Sequence, residues 1–163
     1  MTPVAVGMGG NLPQTLGALG RARVFLSHLL ESARFSSLYR TLPLLDTQQD
    51  PFWNAVAVGG WAGSAEALLE RLLMFEAGEG RLRDPLRPKG PRILDLDLLY
   101  AGTRTENSPR LTVPHPGLAQ REFVLRPLVE LEPLGIHPTS GLRWSLLLSR
   151  LSPQGVDRTD RRW

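Results

Sequence analysis

The sequence predicts an α+β fold in which helices pack on a mainly antiparallel sheet. Short runs of apolar residues, several of them alternating with polar ones, are typical of strands, and leucines spaced three or four residues apart are typical of helices. Runs of the two kinds follow one another in the order β-α-β-β-α-β, with further helices after them. The chain has 163 residues, 42% hydrophobic and 21% charged, which is ordinary for a globular protein, so we expect a single domain over residues 1–163.

The first half of the chain supplies one helix and three strands. Residues 4–9 predict a strand that ends in a Gly-Gly pair, and a leucine-rich helix should begin at about Pro13, which suits a first helical turn. Residues 34–41 predict a second strand, and residues 43–51 have the turn chemistry of a loop. Residues 52–61 form a better strand, with alternate side chains on its two faces.

The second half begins with a helix for which Ser64 is the expected N-cap. Prolines interrupt residues 81–91, so this stretch cannot be regular structure. Residues 92–100 form the clearest strand of the chain, and helices are expected at residues 120–130 and 144–150.

The element order fits a ferredoxin-like βαββαβ sandwich with extra C-terminal helices. The polar residues 152–163 predict a loose tail. No internal repeat is present in the sequence.

The composition excludes several classes of protein. The chain has no cysteine, which removes disulfide frameworks, thiolate zinc sites and cysteine nucleophiles. No apolar run is long enough to span a bilayer, and residues 1–11 do not resemble a secretory signal, so we expect a cytoplasmic protein. The net charge of +3 is too small to indicate nucleic-acid binding by itself.

The strongest signal for chemistry is the run Arg-Ile-Leu-Asp-Leu-Asp at residues 92–97. In a strand Asp95 and Asp97 share one face and stand roughly 6.5–7 Å apart, so both can lean towards a shared hard cation or a pair of cations. Mg²⁺ is favoured over Zn²⁺ because no thiolate and little imidazole is nearby. An amphipathic strand with one hydrated face is the simpler interpretation of Asp-x-Asp alone, although Asp is a poor strand former.

A basic stretch lies directly upstream of the two aspartates. Its cationic residues are Arg81, Arg83, Arg87, Lys89 and Arg92, opposed only by Asp84. Guanidinium groups bind phosphates bidentately, and Mg²⁺ surrounded by Arg and Lys is the usual arrangement for stabilising a triphosphate during transfer. Each of these residues alone fits a solvated loop, but basic stretch and carboxylates together favour nucleotide chemistry.

Other local patterns carry less weight. Residues 7–12 resemble the start of a dinucleotide fingerprint but lack its third glycine, and the sequence has no Walker A motif, so a phosphate site must use side chains and metal. Two prolines fix the backbone around His115, which makes it a functional candidate, whereas His28 and His137 are expected to be structural or solvated. Glu76 falls on the apolar side of its helix, which is unusual for a carboxylate.

Taken together, the motifs resemble the 6-hydroxymethyl-7,8-dihydropterin pyrophosphokinase family of folate enzymes. The matching segments occur in family order between residue 4 and about residue 133: Gly9-Gly10-Asn11-Leu12, Tyr39-Arg40-Thr41-Leu42-Pro43, Phe52-Trp53-Asn54, residues 76–83, residues 90–97 and residues 111–123. The Gly-Pro-Arg-x-x-Asp-Leu-Asp segment is highly specific, and the others are weaker singly. The sequence departs from the family's usual pattern at Gly10, Pro88 and Lys89.

This resemblance implies pyrophosphoryl transfer from ATP to the pterin's hydroxymethyl oxygen, in line at the β-phosphorus, with AMP released. It implies catalytic roles for Asp95, Asp97, Arg81 and Arg92, with the two aspartates holding two Mg²⁺ ions. It implies ATP contacts from Arg83, Arg87, Lys89, Leu98, Arg110, Thr112, His115 and Arg121. The implied pterin slot consists of Thr41, Leu42, Pro43, Leu44, Phe52, Asn54 and Phe123, and residues 42–51 and 82–91 would be lids.

The expected partners are therefore ATP and the pterin, with neither nucleic acid nor membrane, and the protein is expected to be a monomer. Two other classes share some of these features. A palm-type two-metal nucleotidyl transferase would need a third acidic ligand, and an RNA-binding sheet domain would need exposed aromatic residues where residues 92–100 carry aspartates.

Overall fold

The computed structural model describes residues 1–43, 48–80, 86 and 90–163. The strands are β1 (Thr2–Gly10), β2 (Glu31–Phe35), β3 (Tyr39–Thr41), β4 (Phe52–Trp61), β5 (Asp95–Ala101), β6 (Glu106–Asn107), β7 (Thr112–Val113) and β8 (Val156–Arg158). The helices are α1 (Thr15–Leu29), α2 (Ala65–Gly78), α3 (Glu122–Leu131) and α4 (Trp144–Ser149), with a 3₁₀ turn at Leu118–Gln120. None of the helices in these described residues is both long and apolar enough to cross a membrane.

The main sheet is antiparallel throughout and has the order β5-β1-β4-β3-β8, with β2 also pairing with β4. Because β2 and β3 pair with opposite halves of β4, they act as one interrupted strand, which confirms the ferredoxin-like α+β prediction. The expected single strand over residues 34–41 was wrong. Ser36 interrupts it, because its hydroxyl accepts the Val56 N–H at 3.0 Å in place of a backbone carbonyl.

Helices cover both faces of the sheet. On β4, Ala55 and Ala57 face the core formed with α1 and α2, whereas Val56 and Val58 face the core formed with α3 and α4. This alternation is the one predicted for residues 52–61. Ser64 is confirmed as the N-cap of α2, where its hydroxyl accepts the Ala67 N–H at 3.2 Å.

A β-bulge changes the faces of β5. Val6 pairs with Leu98 and Ala5 pairs with Tyr100, so Leu99 is an extra residue between the two pairs. Tyr100 consequently packs with Leu99 in the core on the α3/α4 side. Strict alternation along residues 92–100 predicts Tyr100 on the face of Leu96 and Leu98, and the extra residue makes that prediction wrong.

The strand predicted over residues 92–100 begins three residues later than expected. The backbone of Arg92 bonds to Asn11, and the carbonyl of Ile93 accepts a hydrogen bond from the Thr15 hydroxyl at 2.7 Å. These side chains take the backbone groups that a strand would use for its ladder.

The predicted loose tail was also wrong. Val156–Arg158 forms β8 and pairs with β3, and the Thr159 N–H donates to the Leu38 carbonyl at 2.9 Å. Trp163 donates its indole N–H to the Ser36 carbonyl at 3.1 Å and packs edge-on against Phe35. A polar composition hid a segment that is held mainly by backbone hydrogen bonds.

Candidate active site

The candidate site lies at the end of the sheet where β1 ends and where β4 and β5 begin. In the strand register Gly9 lies opposite Asp95 on one side and opposite Asn54 on the other. Residues paired across antiparallel strands share a face, so the aspartate and the amide both project on the α3/α4 side, about 10 Å apart across two strand spacings. At this end of the sheet, the Asp95 carboxylate and the Asn54 amide therefore lie on the same face, on either side of Gly9, and this face around Gly9 is the floor of the site.

Glycine at position 9 keeps that floor open. A Cβ atom there would overlap the Asn54 Oδ1 atom and would lie 3.2 Å from the Trp53 carbonyl oxygen. The space between Asn54 and Asp95 thus depends on a residue without a side chain.

Arg92 and the two aspartates form the charged part of the site. The Arg92 Nη1 atom donates to the Asp95 Oδ2 atom at 2.5 Å, and both side chains are largely buried. The Arg92 Nε atom is buried as well and makes no hydrogen bond with any residue in the described ranges. A buried guanidinium N–H without a partner costs free energy unless a ligand accepts its hydrogen bond. Asp97 projects from the same face of β5, two residues further along.

Glu76 fixes the strand between the two aspartates. Its side chain is 2% exposed, and its Oε1 atom accepts the Leu96 N–H at 2.5 Å. Its unusual place on the apolar side of α2 is explained by this bond, which anchors β5 at the residue that separates Asp95 from Asp97.

His115 lies beside the carboxylates. Its backbone N–H donates to the Leu99 carbonyl at 2.7 Å, and its Nδ1 atom accepts the Gly117 N–H at 3.0 Å. Burial lowers the pKa of His115, and the positive charge of Arg121 lowers it further, while the negative charge of Asp97 opposes both. The ring is therefore neutral near pH 7, with its proton on Nε2, where it can donate a hydrogen bond.

The opposite side of the site carries aromatic and amide groups. The Asn54 Nδ2 atom donates to the Thr41 hydroxyl at 3.3 Å, and the Arg92 guanidinium lies 5.9 Å from the ring centre of Phe52. Phe123 lies at the start of α3, with the Arg121 guanidinium 5.8 Å from its ring centre. An aromatic face beside an amide suits a flat, polar heterocycle.

The structure brings some of the predicted residues together and places others apart. Arg110 is exposed at the turn between β6 and β7, and Thr112 begins β7, which packs against β5. The Leu98 side chain is buried on the α1/α2 face, so only its backbone can meet a ligand on the aspartate side. Leu42 and Pro43 directly follow β3. The predicted residues Leu44, Arg81, Arg83, Arg87 and Lys89 lie outside the described residues.

Several residues that hydrogen-bond to the segments carrying the site residues were assigned no role from the sequence. Asn11 belonged to a recognised motif but received no role, and Thr15 received none. Gln154 accepts the Glu122 N–H at 3.0 Å and donates its own N–H to the Glu122 carboxylate at 2.5 Å, so the C-terminal segment fixes the start of α3. No local pattern could have revealed this contact, because the two residues are distant in sequence.

A family model described as 7,8-dihydro-6-hydroxymethylpterin-pyrophosphokinase (HPPK) matches residues 5–133. The chain belongs to this family. The matched range includes most of β1, all of β2 to β5 and all of α3, and therefore the strands that carry Asp95, Asp97 and Asn54. The family resemblance drawn from the motifs is thus confirmed.

Individual relatives agree with the HPPK family model. The chain is 40% identical over 138 residues to a 2-amino-4-hydroxy-6-hydroxymethyldihydropteridine pyrophosphokinase from Synechocystis, covering 83% of this chain and 69% of that protein. It is 34% identical over 166 residues to the protein of that name from Methylorubrum extorquens, covering 98% and 100% respectively. A solved structure of Plasmodium falciparum HPPK-DHPS shares the fold with a TM-score of 0.72 at 12% identity, covering 91% of this chain and 43% of that one.

Proposed function

We propose that this chain transfers pyrophosphate from ATP to the hydroxymethyl oxygen of 6-hydroxymethyl-7,8-dihydropterin and releases AMP, as a step of folate biosynthesis. Its family membership and the relatives of that name support the reaction. The single observation that carries the site assignment is Arg92, which pairs with Asp95 while a buried N–H remains without a partner in the described part of the chain. That combination is suited to a polyanionic ligand.

The donor atoms at this end of the sheet fit Mg²⁺. Carboxylate oxygens are hard ligands, and the described residues contain no group of three or more His, Asp or Glu side chains able to enclose a metal. Asp95 and Asp97 would be the residues that hold the two Mg²⁺ ions. When bound, the ions neutralise charge on the triphosphate.

The chain's own groups would bind and orient the triphosphate. Arg92 would donate to phosphate oxygens through its guanidinium, and His115 would donate through Nε2 while remaining neutral. Arg92 holds the Asp95 side chain, and Glu76 holds the backbone between Asp95 and Asp97, which would position both carboxylates for ATP. Further contacts to ATP would come from Arg110, Thr112, Arg121 and the backbone of Leu98.

The pterin would bind on the aromatic side of the floor. Asn54 and Thr41 offer amide and hydroxyl groups for hydrogen bonds to the heterocycle, and Phe52 and Phe123 offer stacking faces. The hydroxymethyl oxygen would then point towards the aspartates and attack the β-phosphorus. A P–O bond forms between the hydroxymethyl oxygen and the β-phosphorus, and the bond from the β-phosphorus to the α,β-bridging oxygen breaks. AMP leaves with that oxygen, and the hydroxyl proton passes to solvent.

Other parts of the proposal concern residues and properties beyond this geometry. We propose that Arg83, Arg87 and Lys89 add phosphate contacts from a lid over residues 82–91, and that Arg81, directly before this lid, has a catalytic role. We also propose that Leu42, Pro43 and Leu44 close the pterin slot from residues 42–51. We also propose that the protein is cytoplasmic and monomeric and that residues 1–163 form one domain.

Product analysis tests the reaction. The protein is incubated with ATP, Mg²⁺ and 6-hydroxymethyl-7,8-dihydropterin, and the nucleotides are separated. Pterin-dependent AMP is expected, and removal of Mg²⁺ by a chelator should abolish it. ADP in its place would show a simple kinase, and the absence of any nucleotide product from folded protein would contradict the proposal.

A further inference from the structure

The side chain of Asn11 lies at the point where two loops enter the sheet. It is 3% exposed, and its Oδ1 atom accepts the Arg92 N–H at 3.0 Å. Its Nδ2 atom donates to the Gln49 side-chain oxygen at 3.1 Å and approaches the Asp50 carbonyl oxygen at 3.4 Å. Gln49 and Asp50 lead into β4, whereas Arg92 leads into β5. One buried amide therefore touches the bases of both loops that flank the site.

The Arg92 side of this junction is held tightly. The Asn11 N–H donates to the Arg92 carbonyl at 2.9 Å, and a Cβ at Gly10 would overlap the Ile93 carbonyl oxygen. The Thr15 hydroxyl accepts the Leu12 N–H at 3.0 Å and donates to the Ile93 carbonyl. These contacts fix the end of β1 against the segment that presents the Arg92 guanidinium, but only Asn11 among them also reaches residues 49–50.

The two sides of the junction make opposite chemical demands. The Arg92 N–H needs an acceptor, whereas the two oxygens of Gln49 and Asp50 need donors. A primary amide supplies an acceptor oxygen and two N–H donors in one short side chain, which neither a carboxylate nor a hydroxyl can do. An aspartate at position 11 would place negative charge against the Asp50 carbonyl oxygen.

We propose that Asn11 is a positioning residue that couples the pterin slot to the phosphate site. The loop that ends at residues 49–50 delivers Phe52 and Asn54, and the segment at Arg92 delivers the guanidinium that contacts Asp95. A ligand that orders either segment favours, through the shared amide, the arrangement the other ligand needs. The affinities for the two substrates are then linked, and the linkage is reciprocal. This inference rests on the proposed function.

Equilibrium binding without turnover tests it. The Kd of 6-hydroxymethyl-7,8-dihydropterin is measured by calorimetry with and without saturating Mg²⁺ and α,β-methylene ATP, whose bridging carbon blocks transfer. The ratio of the Kd without the analogue to the Kd with it measures the coupling, and a ratio above one means that the analogue tightens pterin binding. We expect the analogue to tighten pterin binding to the wild type, and Asn11→Ala to reduce this ratio about three- to ten-fold, the size of a lost buried hydrogen bond.

Two further variants separate coupling from general damage. Gln49→Ala lies in a loop and leaves the bond from Asn11 to Arg92 intact, so it should lower the ratio in the same direction by about two- to three-fold. Thr15→Val removes a tie to Ile93 without touching residues 49–50, so it should leave the ratio unchanged. If Asn11→Ala does not fold, as judged by circular dichroism, Gln49→Ala decides the question.

An equal ratio in the wild type, Asn11→Ala and Gln49→Ala would overturn the inference, as would a wild-type ratio of one. A different result would contradict the proposed function itself: the wild type would then bind neither the pterin nor the analogue and would form no AMP.

Discussion

The two ends of β5 each carry an arginine, but the two arginines are satisfied in different ways. Arg92, before the strand, bonds to Asp95 and keeps a buried Nε without a partner in the described residues. Arg104, after the strand, bonds to the carboxylates of Glu66 and Glu106 and is exposed to solvent. One end of the strand therefore has hydrogen-bonding capacity left for a ligand, and the other has used it within the protein.

The far end of the strand also borders a cavity. A cavity of about 630 Å³ lies at the far end, between the start of β1, the end of β4 and the segment at Arg104. Its cation is already neutralised by two carboxylates, whereas the aspartates at the near end lie beside a buried donor. The assignment of the candidate site therefore rests on its polar groups and not on cavity volume.

Glutamates anchor both ends of the strand. Glu76 accepts the Leu96 N–H near the start, and Glu132 accepts the Tyr100 hydroxyl at 2.8 Å near the end. Burial, with the charge of Glu132, raises the pKa of Tyr100, so the hydroxyl remains a donor. Both carboxylates hold β5, but only Glu76 does so between the candidate metal ligands.

The largest expected effect is at Asp97. Asp97→Ala should lower kcat by at least about 10²–10³-fold, because the change removes a proposed metal ligand that would stabilise charge in the transition state. The rate of pterin-dependent AMP formation measures this. The matched control is Asp157→Ala at an exposed position of β8, which should retain the wild-type rate. Equal rates in the wild type and Asp97→Ala would place the chemistry elsewhere.

The two arginines test the comparison directly. Arg92→Ala should lower kcat/KM about 10²-fold, since a charge-assisted contact to phosphate is lost. Arg104→Ala should stay within about twofold of the wild type, because surface ion pairs contribute little. A large loss of activity in Arg104→Ala would show that the far end takes part in the reaction.

The glutamates should separate stability from activity. Glu76→Ala should lower the free energy of unfolding by about 2–4 kcal/mol, because it leaves a cavity and an unpaired Leu96 N–H, and should also reduce kcat. Glu76→Gln keeps an acceptor and should recover most of the loss. Glu132→Ala should cost about 1–2 kcal/mol while leaving kcat nearly unchanged. Urea unfolding and AMP formation measured on the same samples distinguish these outcomes.

The smallest effect concerns pH at the far end. His137 packs against Trp144, its Nδ1 atom accepts the Thr139 N–H at 3.2 Å, and burial lowers its pKa. The unfolded state then binds more protons, so stability is fully present above about pH 6.5 and falls as the pH drops below it. Solvent screening should keep the loss to a few tenths of a kcal/mol. The Tm of wild type and of His137→Gln is measured at pH 7.5 and 5.5. The wild type should lose more Tm between the two pH values than His137→Gln, and equal losses would contradict the assignment.

The sequence predicted the fold and the carboxylate pair because both depend on local patterns. Alternation along β4 and leucine spacing in α2 specify which faces are buried, and Asp95 and Asp97 stand out among aliphatic neighbours. The bulge at Leu99 escaped prediction, since an extra residue in one strand is defined only by its pairing with another. The pairing of β8 with β3 in the C-terminal segment was not predicted for the same reason.

The two histidines show this limit most clearly. His115 and His137 both lie beside proline, and both accept a backbone N–H two residues further along through Nδ1. Their local structures are thus alike. Only the long-range contacts differ, because His115 faces the charges of Asp97 and Arg121 whereas His137 faces an indole ring. Sequence reasoning can nominate such a residue, but packing between distant segments decides its environment.

Strand β8 has a consequence for how molecules of this protein meet one another. β3 is only three residues long, and β8 covers its outer side with Val156–Arg158. An uncovered β3 would present free N–H and C=O groups, which are a template for pairing with a second molecule and for aggregation. β8 replaces that edge with a short one whose Asp157 and Arg158 are charged and exposed, a combination that resists self-association. The last strand of the sheet therefore also protects the protein's solubility.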